Sequence, residues 1–133
     1  MTTTRGLLDT SVFVARESNR PLRVDLLPLE QVVSAITLGE LSAGVHAAVN
    51  ADSRAMRMKT LDMLSAIAVL PVDAEVAAIW ARLRQNLRDN GRRLNVNDLW
   101  IASTALAHSL PVYTQDTDFQ VLSDLGGPEV IVV

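Results

Sequence analysis

The segment 31–36 constrains this chain most. Val32, Val33, Ala35 and Ile36 make it almost continuously apolar. A strand with one wet face alternates apolar and polar residues, whereas a strand covered on both faces does not. Such a strand belongs to a parallel sheet with helices on either side. The rest of the chain agrees, because strand-like and helix-like stretches alternate along it. Residues 5–8 read as a first short strand, 31–36 as the second, 67–70 as the third, 112–114 as the fourth and 130–133 as the fifth. Helices are expected from about Ser11, over 37–49, over 53–66, over 73–90 and over 98–109, with a short one from Asp116. Pro21 and Pro28 interrupt the stretch after the first helix, and Pro71 and Pro111 end later elements.

Two helices stand out. In 73–90, Val76, Ile79, Leu83 and Leu87 recur at helical spacing, and Asn90-Gly91 is a stop signal. The helix 98–109 is apolar nearly all round, so it should be deeply packed, and Ala102 and Ala105 let it lie close to the sheet.

The chain has 133 residues, 49% of them hydrophobic, which suits one ordinary α/β domain spanning 1–133 and argues against disorder. It has no cysteine, which excludes disulfides and thiolate zinc sites. No apolar run approaches the roughly 20 residues of a membrane helix. Near the charged start, Met1 to Arg5, only Leu7-Leu8 is apolar before Asp9, so no signal peptide is read and a cytoplasmic location is expected.

Four carboxylates recur at equivalent places in the pattern. Asp9 ends the first strand, Glu40 lies in the first turn of the helix after the second, Asp98 opens the packed helix, and Asp116 follows the fourth strand. Open parallel sheets form their sites at the carboxyl ends of strands, where such residues converge. Clustered carboxylates repel and raise at least one pKa unless a hard cation such as Mg²⁺ joins them. Each acid also has a purely structural account. Asp9 before Thr10-Ser11 fits a helix cap, Thr37-Leu38-Gly39-Glu40 fits a capping box, Asp98 fits a first-turn acid, and Asp116 fits a turn. Spacing alone leaves the metal site and the structural reading evenly matched.

The pieces Leu7-Leu8-Asp9-Thr10-Ser11, Thr37-Leu38-Gly39-Glu40-Leu41, Asn97-Asp98-Leu99-Trp100-Ile101-Ala102 and Thr114-Gln115-Asp116-Thr117-Asp118-Phe119 occur in this order across nearly the whole chain. Together they resemble a PIN domain, in the short stand-alone form of a VapC-type toxin of a toxin–antitoxin pair. The resemblance implies a five-stranded parallel sheet between helices, with Asp9, Glu40, Asp98 and Asp116 as the acidic core. It implies Mg²⁺- or Mn²⁺-dependent endonuclease action on RNA, Asp118 as a further metal-associated acid, and supporting roles for Thr10 and Thr114. It also implies a VapB-type antitoxin partner and a homodimer. Trp100 departs from the pattern, which more often has a smaller aliphatic residue there.

The net charge of −3 is unusual for an RNA binder. Setting aside the five site acids leaves 12 − 10 = +2, so the acidity is partly local to a site that cations would neutralise. Arg82, Arg84, Arg88, Arg92 and Arg93 form a basic stretch, read as a solvated helix face in preference to a phosphate contact. Trp80 is read as buried. His46 and His108 are isolated and read as structural. Met56, Met58 and Met63 fall on one helix; core packing is the preferred account, an adaptable surface for a partner helix the sharper one.

Three other readings compete. A catalytically silent PIN-like module binding RNA or protein would need a broken acid set, and here all four positions are filled. A haloacid-dehalogenase-type phosphatase needs a second aspartate two residues after the first, where this chain has Ser11. A receiver domain needs a late lysine, and the only lysine is Lys59.

Overall fold

The computed structural model describes residues 4–133. Met1 to Thr3, part of the charged start considered above, lie outside them. In chain order the elements are β1 (Arg5–Leu8), α1 (Thr10–Glu17), β2 (Glu30–Ser34), α2 (Ala35–Ala47), α3 (Ala51–Asp62), β3 (Ala68–Leu70), α4 (Ala74–Asp89), α5 (Val96–Ala107), β4 (Val112–Thr114) and β5 (Val130–Val132). Short 3-10 turns cover Val24–Leu26, Met63–Ala66 and Thr117–Leu122. The five strands form one parallel sheet in the order β3-β2-β1-β4-β5. Chain order reverses between β1 and β4, the place where such sheets open a crevice.

Adjacent residues on the central strands feed opposite faces of the sheet. Leu7, Val32 and Val112 pack with Leu83, Leu99, Ile101 and Phe119 under α4 and α5. Leu8, Val33 and Tyr113 pack with Val12, Phe13, Leu41 and Leu64 under α1, α2 and α3. This two-residue alternation with both faces apolar explains why 31–36 shows no polar stripe. A Cβ on Gly6 would collide with the edge of the Tyr113 ring, so the absence of a side chain there lets the ring lie against the backbone of β1.

The expected α4 face is realised, with Val76, Leu83 and Leu87 buried. Its cap is the Asp73 carboxylate, which accepts from the Val76 amide at 3.1 Å, and Gly91 follows the helix at φ +64°. Helix α5 buries six consecutive or near-consecutive positions from Leu99 to Ala105.

One boundary differs with consequence. The second strand ends at Ser34, and α2 begins at Ala35 instead of Thr37. Ser34 is the cap, its hydroxyl accepting from the Ile36 amide at 3.1 Å. The capping box expected from Thr37 to Glu40 therefore does not exist. Glu40 lies in the second turn of α2, and its side chain is free for another task. The helix expected over 53–66 runs from Ala51 to Asp62 and tightens into a 3-10 turn. Helix α5 starts two residues before Asp98, with Asn95 as its cap.

Candidate active site

Asp9 follows β1 at the reversal point and is only 3% exposed. Its Oδ2 accepts from the Ser11 hydroxyl at 2.7 Å and from the Thr114 hydroxyl at 2.9 Å. The Ser11 amide lies 3.4 Å from the same oxygen, so Asp9 also caps α1. Each hydroxyl in turn accepts from a backbone amide, Ser11 from Gln115 at 3.0 Å and Thr114 from Asp116 at 2.8 Å. A hydroxyl has one proton to give, so the direction of every bond is fixed, from amide to hydroxyl to carboxylate. These bonds all fall on Oδ2. Burial pushes the Asp9 pKa up, and the bonds from Ser11 and Thr114 draw it back.

Glu40 is held in the same way. Thr10 donates to its Oε1 at 2.8 Å. Because the Thr10 proton is committed there, the 2.9 Å contact between Thr10 and the buried Thr37 has Thr37 as donor. Asp116 Oδ1 accepts from the Asp118 amide at 2.8 Å and caps the following 3-10 turn. Asp98 stands in the first turn of α5, half-buried.

These acids share one electrostatic field. The Asp98 pKa is pushed up to about 7, first by burial, then by the charges of Asp9, Asp116, Glu40 and Asp118 in that order. None of the five carboxylates has a basic partner; among the described residues the ion pairs are Arg5–Glu30 and Arg92–Asp124. The fold thus brings all five sequence-expected acids to the carboxyl edge of the sheet. Among the described residues they do not close into a ready-made cage of three or more ligands. Mg²⁺ keeps several waters and takes few carboxylates directly. The donor set is all oxygen, which fits a hard divalent cation and no soft one.

Thr10 and Thr114 both touch the acids. Ser11 and Thr37, which the motifs did not single out, extend the same scaffold. The signal for Ser11 was present in the run Asp9-Thr10-Ser11, where a helix cap explained it sufficiently. His46 and His108 are exposed, and neither belongs to a metal-binding group among the described residues.

Three side-chain expectations need correction or refinement. Met56, Met58 and Met63 are 54%, 46% and 41% exposed, so core packing does not account for them. Met56 and Met63 border a cleft with Arg16, Glu17, Lys59 and Thr60. Trp80 is half-buried and stacks on Trp100, ring centroids 4.6 Å apart and planes within 9°. Arg84 lies over the Trp80 ring at 5.5 Å, and Arg92 pairs with Asp124, so the basic stretch is not uniformly solvated.

A parallel five-stranded sheet with acids at the point where its strand order reverses defines a broad class of α/β domains. Within it, this chain belongs to the PIN-domain family, whose pattern matches residues 6–125. It is 48% identical over 128 residues to Ribonuclease VapC5 of Mycobacterium tuberculosis, covering 96% of this chain and 95% of that one. It is 38% identical to Ribonuclease VapC4 of the same organism over the full length of both. Among solved structures, VapBC-5 from Mycobacterium tuberculosis, a member of the VapBC family of toxin–antitoxin systems, superposes with a TM-score of 0.86 at 44% identity, over 98% of each chain.

Proposed function

We propose that the chain is a divalent-metal-dependent endoribonuclease and the toxin of a toxin–antitoxin pair. The observation that carries this reading is uncompensated negative charge: five acids at one sheet edge, none paired to a base among the described residues, with one carboxyl pushed up to about 7. The kinship with proteins named Ribonuclease VapC supplies the substrate class.

Asp9, Glu40, Asp98 and Asp116 are the core acids, and Asp118 sits at their rim. Mg²⁺ or Mn²⁺, when bound, supplies charge neutralisation and an activated water for attack on a phosphodiester. The chain's own contribution is orientation. Ser11 and Thr114 pin Oδ2 of Asp9 and so fix the carboxylate that would help hold the cation. Thr37 and Thr10 aim Glu40. Asp98 must give up its carboxyl proton before it can serve as a ligand, and burial makes that proton easy to hold at neutral pH. In-line attack would leave a 5′-phosphate and a 3′-hydroxyl.

A VapB-type antitoxin is the partner this reading carries, since similar solved structures are of VapBC pairs. The exposed Met56 and Met63 suit an adaptable apolar contact with a partner helix. A homodimer and a cytoplasmic location belong to the same proposal. No helix among the described residues is long and apolar enough to cross a membrane.

Digestion of total RNA with and without Mg²⁺, with cut ends mapped, tests the reading beside Asp98→Asn. Cleavage should require the metal and vanish in the variant. Cleavage that persists in Asp98→Asn, or in excess chelator, overturns it.

A further inference from the structure

A second feature adjoins the acidic edge. Arg93, Leu94, Asn95, Thr117, Asp118 and Val121 border a cavity at the rim of the carboxylate site. Arg93 and Leu94 also border a neighbouring cavity, whose wall includes Trp80, Arg84 and Arg88. The two cavities adjoin at Arg93 and Leu94, one reaching Trp80 and the other Asp118, and together make up a groove.

The charge along that groove is sharply divided. At one end the acids have no basic partner. At the other, Arg84, Arg88 and Arg93 are exposed and form no ion pair among the described residues. The turn that carries Arg93 is fixed, because Arg92 bridges to both carboxylate oxygens of Asp124 and to the Val121 carbonyl. Arg84 is steadied over the Trp80 ring. The cations are thus presented from rigid supports and do not neutralise the nearby acids. A strand whose backbone is anionic throughout, with one phosphate delivered to a cation-loaded acidic site, matches both ends at once.

We propose that this groove is the track for the single-stranded RNA flanking the scissile phosphate, with Arg88 and Arg93 as phosphate-positioning residues. The inference rests on the ribonuclease reading above and adds the path of the substrate to it. Arg84 and Trp80 line the far end. An acidic segment of a protein partner is the competing occupant.

The test uses the full chain with Arg88→Gln/Arg93→Gln, beside a control, Arg20→Gln/Arg82→Gln, that removes the same charge away from the groove. Binding of a labelled, mixed-sequence, single-stranded RNA of about 12 nucleotides is followed by anisotropy in Mg²⁺, in an Asp98→Asn background that blocks cleavage. Each phosphate contact on a single strand contributes about 0.7 to the slope of log affinity against log salt, so losing two lowers it by about 1.4. Between about 50 and 200 mM salt, the groove variant should then lose roughly sevenfold less affinity than the parent. In the active background, its KM should rise while kcat is retained, and the control should match the parent in both assays. An unchanged salt slope and KM in a parent that cleaves RNA would overturn the track and leave the nuclease reading standing; this is the result expected if the groove takes an acidic peptide. A parent that binds RNA through these arginines but yields no cleavage would keep the track and remove the nuclease. A parent that does neither overturns both.

Discussion

Asp98 is placed where function and stability pull in opposite directions. Its carboxyl titrates near 7 in the folded chain and near 3.8 when free. Between those values the folded state holds a proton that the unfolded state releases, so without metal the protein loses stability as pH rises from about 4 through 7. Half-exposure screens the effect, which leaves on the order of 2 kcal/mol. Thermal melts in chelator should therefore show a lower Tm at pH 8 than at pH 5, and Asp98→Asn should flatten that slope and raise the pH 8 value while abolishing cleavage. A flat profile in the parent would show that Asp98 is not strained by its neighbours. Thr10→Val keeps the shape but removes the bond to Glu40 and the acceptor of the buried Thr37 hydroxyl; metal affinity or activity should fall about 10- to 100-fold and Tm should drop modestly. Asp9 and Asp98 were the most legible of these residues, since each sits in a local run that matches the family pattern. Glu40 was the most ambiguous, because Thr37 looked like a cap. Ser11 was passed over because its amide has a simpler role than its hydroxyl.

The elements were legible where the apolar period was long and blurred where it changed within one run. Helix α4 shows three buried positions on a repeating face, and its expected limits, 73–90, differ from the observed ones by a single residue at each end. The strand β2 and the start of α2 share an unbroken apolar stretch, and hydrophobicity alone cannot mark where extended backbone becomes helical. The side chain of Ser34 makes that decision, being the only residue there that can satisfy an orphan amide. Ser34→Ala should cost about 1 kcal/mol by denaturant unfolding, and Thr37→Val should not reproduce a cap loss. Packing under α4 carries more: Leu83→Ala, fully buried, should cost about 2–5 kcal/mol in the same measurement. Gly6→Ala should be costly despite its size, about 1–3 kcal/mol, because the added Cβ would overlap the ring of the buried Tyr113.

For the whole molecule, parallel topology was readable from alternation, whereas the strand order, and with it the groove, was not. No local pattern announces that β4 returns to the far side of β1, yet that return is what brings Asp116 beside Asp9. Metal binding couples this edge to global stability: Mg²⁺ at about 100 times its Kd should add roughly 2.7 kcal/mol at pH 8, where Asp98 is ionised, and less at pH 5. Calorimetry in Mg²⁺ and in chelator at both pH values measures it, and equal shifts at the two would contradict the coupling. The tryptophan stack has an optical consequence. The chain has two tryptophans, and both lie in one parallel pair bridging α4 and α5. Their transitions are close enough to couple, so the near-ultraviolet dichroism of the intact protein reports on a single seam. That signal should collapse in either Trp80→Phe or Trp100→Phe, giving a label-free gauge of whether the helix pair stays closed as ligands arrive.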